Sequence, residues 1–322
     1  MEWLFIADPL AGFQIKKDST YAMMQAAQAA GHRLYAAGLS DLSVEGGQVW
    51  AMAGALTLQA LPPGAKALTS PHWYALDDAQ PRRLASFDAV LMRKDPPFDL
   101  EYLYATLLLE HAAREGARVF NSPQALREHN EKLAILEFPA FIADTLVSSS
   151  PTKLRQFVLR HRVAVFKLLD GMGGASIFQA RADDPNLSVI IETMARFGQR
   201  TVMAQAYLAQ IVEGDKRVLL VGGEVVPFAL ARIPQPGEAR GNLAAGGRAE
   251  ARPLTDADRR IADHLAPLLQ ARGLLLVGLD IIGAHLTEIN VTSPTCFREI
   301  MDQTGFDVAG LFVRKLEEAC TR

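Results

Sequence analysis

Short apolar runs alternating with helical segments over the first 130 residues constrain the fold more than any other feature of this chain. Trp3–Ala7, Arg33–Ala37, Phe87–Met92 and Arg118–Phe120 read as strands, and Thr20–Ala30 and Leu100–Glu115 as helices. Asp18 or Ser19 suits the first helix as a cap and Asp99 the second, while Gly31 and Gly116 suit their ends. Such alternation predicts an open, mainly parallel α/β sheet. From Ser40 to Ser86 the pattern is less orderly. Gly46-Gly47 and Pro62-Pro63-Gly64 mark turns there among short strand-like pieces.

Around Asn130 the organisation changes. A helix near Pro123–Leu136 leads into strand-like Val163–Leu169, Ser176–Ala180 and Thr201–Ala204, with a helix at Leu187–Phe197. Lys216–Val221 and Glu224–Phe228 flank Gly222-Gly223 as a hairpin. A helix near Asp256–Arg272 then precedes Leu275–Ile282, paired with Leu286–Val291. These changes divide the chain into 1–130, 131–206 and 207–322, an organisation that suits 322 residues.

Composition narrows the function classes. Lys+Arg 33 against Asp+Glu 36 leaves a net charge of −3, which gives no electrostatic reason to expect nucleic acid or an anionic membrane as partner. Two cysteines, Cys296 and Cys320, exclude a disulfide framework or a Cys-based zinc site within one chain and fit a reducing cytoplasm. No uncharged run approaches the roughly 20 residues of a membrane span.

The chemistry concentrates in a few places. A hairpin centred on Ala284 sets Asp280 opposite Glu288, and the strand period of two puts Glu288 and Asn290 on one face. Two carboxylates and an amide oxygen that close require something positive between them. Hard oxygen donors favour Mg²⁺ or Mn²⁺; the plainer alternative is the solvated face of a hairpin. Asp170-Gly171-Met172-Gly173-Gly174-Ala175-Ser176 is a Gly-rich loop between strands, able to present backbone N–H groups to an anion or simply to turn. Lys167, between Phe166 and Leu168, needs a partner for its charge, and a phosphate would serve. Lys132 is a second such cation, or an ordinary solvated helix lysine. Ile233–Glu250 holds six Gly or Pro residues, against 24 Gly and 17 Pro in the whole chain, together with Arg240 and Arg248. It reads as a lid or as a surface loop. Cys296 has no His or Asp near it in sequence and reads as packing.

Taken together, several motifs resemble the prokaryotic-type glutathione synthetases, members of the ATP-grasp ligases. They are Ile15-Lys16-Lys17-Asp18-Ser19, Leu91-Met92-Arg93-Lys94-Asp95-Pro96-Pro97-Phe98-Asp99, Leu169 to Ser176, Gly214-Asp215-Lys216-Arg217-Val218, Ala231-Arg232-Ile233-Pro234, Arg240 to Arg248, and Val277 to Cys296. They run in order along nearly the whole chain; the region from about Val44 to Ser86 and the C-terminal tail depart most from the family, with an extra segment at Ala60–Ala75. The resemblance implies an N-terminal open α/β domain (a pre-ATP-grasp domain) followed by a two-lobed ATP-grasp fold, α/β and α+β together. It implies ATP held by Lys132, Lys167, Gly171, Gly173 and Gly174 at the phosphates, by Gln205, Tyr207 and Leu208 at adenine, and by Asp215 at ribose. Asp280, Glu288 and Asn290 would bind two Mg²⁺ or Mn²⁺ ions, with Arg217 and Arg232 as catalytic groups at the transferred phosphoryl and the acyl phosphate. Lys16, Lys17, Asp18, Arg93, Ser293 and Thr295 are implied on the side of the acid substrate. Arg240, Gly241, Gly246 and Gly247 would belong to the lid. The implied reaction joins γ-L-glutamyl-L-cysteine to glycine through an acyl phosphate, in a cytoplasmic homo-oligomer, expected to be a tetramer.

Overall fold

The computed structural model describes residues 1–59, 73–171, 177–235 and 246–321, and over them the chain builds three sheets. The first holds β1 (Glu2–Ile6), β2 (Arg33–Ala37), β3 (Leu42–Glu45), β4 (Gln48–Leu58), β5 (Tyr74–Leu76), β6 (Gln80–Arg83), β7 (Ala89–Met92) and β8 (Val119–Phe120). Strands β2, β1, β7 and β8 lie parallel, and α1 (Ser19–Ala29), α2 (Leu100–Arg114) and α3 (Pro123–Glu128) belong to this unit. Asp18 caps α1 by accepting the Tyr21 N–H at 2.8 Å, and Asp99 caps α2 through the Tyr102 N–H at 2.9 Å.

This parallel half follows the predicted alternation, whereas the less orderly stretch forms an antiparallel half. There β4 pairs with β2, β3, β5 and β6, so the sheet is less parallel than the sequence pattern predicts. Where β4 pairs with both β2 and β5, Gly54 lets the segment that follows β5 approach closely. A Cβ at Gly54 would lie 2.6 Å from the Asp77 carbonyl. The predicted extra segment Ala60–Ala75 falls mostly outside the described residues.

The second sheet, ordered β11-β10-β12-β9, is antiparallel throughout. It comprises β9 (Thr145–Ser148), β10 (Val163–Leu168), β11 (Ile177–Arg181) and β12 (Val202–Ala206), backed by α4 (Pro151–His161) and α5 (Leu187–Ala195). Helix α4 begins at Ser150, which caps it, with Pro151 at its first position. Its buried Leu154, Phe157 and Val158 keep helical spacing, a signal present in the sequence that the segment reading passed over.

The third sheet, ordered β15-β14-β13-β16-β17, comprises β13 (Asp215–Val221), β14 (Glu224–Ile233), β15 (Arg248–Pro253), β16 (Leu276–Ile282) and β17 (His285–Asn290). Around it lie α6 (Asp256–Ala271), α7 (Phe297–Thr304) and α8 (Val308–Thr321), the last packing against α1 of the first unit. Strand period two gives β13 and β16 two apolar faces. Val218, Leu220, Val277 and Leu279 enter a core shared with α6 and with Leu4, Ile6 and Tyr102 of the first unit. Leu219, Val221 and Leu276 enter a core shared with Phe297, Phe312, Trp3 and Phe5. The second sheet keeps a separate core of Leu154, Phe157, Phe166, Ile191, Met194 and their neighbours. First and third units are therefore welded by apolar burial, whereas the second adds only a few apolar side chains to that core, Met203 and Val147 among them, beside its polar contacts.

Candidate active site

The face of the third sheet that is apolar under α7 and α8 becomes charged toward its other end. Asp215 and Arg217 alternate with half-buried Lys216 and buried Val218 on β13, and the register sets Arg217 beside Asp280 and Asp215 beside Arg232. Arg217 Nε donates to Asp280 Oδ1 at 2.5 Å and Nη2 to Oδ2 at 3.2 Å. Arg232 Nη2 lies 2.6 Å from Asp215 Oδ2 and 2.9 Å from Asp280 Oδ2. Two acids and two guanidinium groups are thus interleaved in a buried square. Burial opposes ionisation of Asp280, but Arg217 and Arg232 outweigh it and hold the carboxyl well below the usual range. Asp215 goes the other way. Its burial pushes the carboxyl up to about 6, which Arg232 offsets only in part while Asp280 and Glu288 add to the rise. Asp215 Oδ1 is buried with no hydrogen-bond partner among the described residues.

Asp280 faces Glu288 and Gly278 faces Asn290, as the spacing predicts, but the hairpin reaches that register differently. Its turn pairs Ile282 with His285, so it centres between Gly283 and Ala284. An irregularity at Thr287 then adds the residue that brings Glu288 opposite Asp280. Gly278 makes room for the neighbouring arginine: a Cβ there would lie 2.9 Å from Arg217 Cδ.

Lys132 and Lys167 meet this face from across the cleft. Each ammonium lies 3.8 Å from Glu288 Oε1, Lys132 Nζ donates to the Gly171 carbonyl at 2.6 Å, and Lys167 Nζ donates to the Thr287 carbonyl at 3.4 Å. Both lysines are buried, so neither is the ordinary solvated lysine that sequence leaves open. Nor is Lys132 on a helix. Helix α3 stops at Glu128, well short of the predicted Leu136, because the Asn130 side chain takes over: its Oδ1 accepts the N–H groups of Lys132 and Leu133 at 3.1 Å each. The same amide donates from Nδ2 to the Leu169 carbonyl at 3.0 Å, tying this turn to the start of the Gly-rich loop. That loop turns between antiparallel β10 and β11.

On the second sheet, Val165, Lys167, Ile177, Gln179, Met203 and Gln205 share one face by register, and it is the face turned toward the cleft. Gln205 is buried, with Nε2 donating to Thr145 Oγ1 at 3.1 Å. Tyr207 and Leu208 follow it, half-buried, at the exit toward the third unit.

The ends of β1 and β7 supply a second polar cluster. Arg93, buried at the end of β7, donates from Nε to Thr20 Oγ1 and from Nη2 to the Pro294 carbonyl, both at 3.1 Å. Ser293 Oγ donates to Asp95 Oδ1 at 2.5 Å. Asp18 caps α1 at the same sheet edge, and burial raises its carboxyl against the pull of Arg93. Lys16 and Lys17 stand exposed beside it. Thr295 Oγ1 lies 3.8 Å from Cys296 Sγ, and Cys296 is buried with its thiol pushed up by that burial, as packing requires. Gly173, Gly174, Arg240 and Gly241 lie outside the described residues. Gly246 and Gly247 lead into β15, and Gln235 Nε2 donates to the Gly246 carbonyl at 2.8 Å.

A hard divalent cation fits the donor set. Asp280, Glu288 and Asn290 offer oxygens only, and Asn290 spends its amide N–H on the Gly278 carbonyl at 3.3 Å, leaving its oxygen as the acceptor. Among the described residues no three His, Cys, Asp or Glu side chains form a preformed metal cluster. Glu131 is the site-lining residue that sequence reasoning missed. It accepts the Thr292 hydroxyl at 2.9 Å, and its burial beside Glu288 raises its carboxyl. Nothing in its spacing separates it from a surface helix glutamate.

The sequence matches the family description "Prokaryotic glutathione synthetase, N-terminal domain" over residues 1–127 and "Prokaryotic glutathione synthetase, ATP-grasp domain" over residues 131–305. It is 54% identical over 322 residues to the glutathione synthetase of Nitrosomonas europaea, covering 100% of this chain and 99% of that one. It is 53% identical to that of Neisseria meningitidis serogroup A, covering all of both. Among solved structures, the D-cycloserine synthetase DcsG shares the fold with a TM-score of 0.70 at 15% identity, covering 99% of this chain and 100% of that one. The ATP-grasp ligase PsnB, solved with a minimal precursor, Mg and ADP, does so with a TM-score of 0.62 at 18% identity, covering 100% and 98%. No described helix is long and apolar enough to cross a membrane.

Proposed function

The chain belongs to the prokaryotic glutathione synthetase family, and from that premise we propose how its residues divide the work of joining γ-L-glutamyl-L-cysteine to glycine. It is an ATP-dependent carboxylate–amine ligase of the ATP-grasp fold. A carboxylate is a poor acylating agent because its oxygen is a poor leaving group. Attack of its oxygen on the γ-phosphorus of ATP makes an acyl phosphate with ADP as the leaving group, and the amine of glycine then attacks the acyl carbon, giving up a proton and expelling phosphate to form the amide.

The observation that supports this division best is the convergence of Lys132 and Lys167 on Glu288, 3.8 Å from each, over the Arg217–Asp280–Arg232 square. On this reading both lysines and the Gly171–Gly174 loop hold the triphosphate. Gln205, Tyr207 and Leu208 frame the base, and Asp215, with its unpartnered Oδ1, faces the ribose hydroxyls. Asp280, Glu288 and Asn290 would hold one or two Mg²⁺ or Mn²⁺ ions, which neutralise phosphate charge when bound. Arg217 and Arg232, kept charged and in place by their acids, stabilise negative charge on the moving phosphoryl and on the tetrahedral oxyanion. Arg93, with Lys16, Lys17, Asp18, Ser293 and Thr295, lies on the side of the acid substrate. Ile233–Gly247, with Arg240, Gly241, Gly246 and Gly247, would be the lid that excludes water from the acyl phosphate. We place the protein in the cytoplasm as a homotetramer, with the division into 1–130, 131–206 and 207–322 as its working units.

The test is ADP release by the purified protein with ATP and Mg²⁺, with glutathione identified by mass. Release requiring both γ-glutamylcysteine and glycine is expected. Release indifferent to either one would reject the substrate assignment.

A further inference from the structure

Glu131 has no role in the scheme above, yet it grips the carboxylate strand twice. Strand β17 is at the edge of its sheet, so its outer side meets no other strand among the described residues. Ile289, which separates Glu288 from Asn290, donates its N–H to the Glu131 carbonyl at 2.9 Å. Two residues beyond Asn290, the Thr292 hydroxyl donates to Glu131 Oε1, also at 2.9 Å. The chain is thereby held on both sides of Asn290. The flanking residues grip the opposite wall, Asn130 through the Leu169 carbonyl and Lys132 through the Gly171 carbonyl. Three consecutive residues thus span the cleft. A buried acid beside Glu288 is an expensive way to fill space, because burial and a neighbouring like charge both oppose its ionisation.

We propose that Glu131 is a positioning residue. Its carbonyl on Ile289 and its carboxylate on Thr292 fix Glu288 and Asn290 relative to Lys132, and so set the metal-binding oxygens against the phosphate-binding lysines. This rests on the reading of Glu288 and Asn290 as metal ligands.

Mn²⁺ binding to the full chain in the presence of ADP, followed by loss of the free-ion EPR signal, reads the site without turnover. Thr292→Val removes only the donor hydroxyl, Glu131→Ala the acceptor, and Glu131→Gln keeps an acceptor oxygen. Glu131→Ala and Thr292→Val are each expected to weaken Mn²⁺ binding about tenfold, with a parallel fall in kcat and a smaller change in KM for ATP. The double variant should be no weaker than Glu131→Ala alone, and Glu131→Gln should recover most of the loss. Unchanged Mn²⁺ affinity in Thr292→Val, or losses that multiply in the double variant, would overturn the proposal. Thr292→Val decides the matter if Glu131→Ala does not fold. Wild-type protein that binds no Mn²⁺ would instead remove the metal reading beneath it, so the two failures are distinguishable.

Discussion

Arg232 serves two acids at once, with one nitrogen 2.6 Å from Asp215 and 2.9 Å from Asp280. Removing it strands both carboxylates in a buried place. Arg232→Ala should therefore lose about 3–5 kcal/mol of stability in urea unfolding, the usual penalty for breaking a buried pair from one side. If Lys132 and Lys167 hold the nucleotide as proposed, its turnover should fall more than its ATP affinity. A purely affinity-based loss would contradict its role at the moving phosphoryl. The two acids also differ in their dependence on pH. Asp280 is held below its ordinary value, so the stability it contributes is present above about pH 4 and is lost as pH falls further. Asp215 is raised from 3.8 to about 6, so its contribution is full below pH 4 and disappears as pH rises through 6. That shift corresponds to roughly 3 kcal/mol across the window. Wild-type stability attributable to this residue should decline between pH 4 and 6, and Asp215→Asn should flatten the decline. Parallel urea-derived profiles for the two proteins would show that Asp215 does not titrate there.

At the scale of the element, the β16–β17 hairpin shows what spacing reveals and what it hides. The pairing of Asp280 with Glu288 was legible because side chains alternate along a strand. The irregularity at Thr287 that produces it was not, because hydrophobic pattern alone does not locate an inserted residue. Gly278 is similar. Its place in Val277-Gly278-Leu279-Asp280 is plain in sequence, but its reason is the Arg217 side chain passing over it. Gly278→Ala should push Arg217 off Asp280 and lower kcat about tenfold or more, with nucleotide binding at the lysines retained. Steady-state kinetics beside equilibrium binding of an ATP analogue would check it, and unchanged turnover would show that Arg217 tolerates the displacement. Elements with strong periodicity were readable, among them α1, α2, α6 and β13. Besides α4, the elements lost to sequence had weaker signals: the four half-buried residues of β9, and β15 with its run of polar and charged residues. Lys132 was misplaced on a helix because periodicity continues past Glu128, while one Asn side chain ends it.

At the scale of the whole molecule, two apolar cores run between the first and third sheets, and none of comparable extent reaches the second. Arg217, Asp280, Glu288 and Arg93 therefore stand on one rigid body, whereas Lys167 and Gln205 stand on another. What joins the bodies at the cleft is a small apolar contact through Met203 and Val147 and a set of polar ones: Asn130 to Leu169, Lys132 to Gly171, and Lys167 to Thr287 and Glu288. Such hydrogen bonds contribute about 1–3 kcal/mol each, much less than an extended buried apolar core. Without nucleotide, then, the second unit should open more cheaply than the molecule unfolds. Native-state hydrogen exchange should show the amides of β10 and β12 exchanging together, at a lower free energy than those of β1, β7, β13 and β16. An ATP analogue with Mg²⁺ at 100 times its Kd should raise that lower value by about 2.7 kcal/mol, because opening the cleft releases the ligand. Uniform protection of all three sheets in the free protein would show that the polar bridge is as strong as the welded cores, and that the cleft does not open as a separate unit.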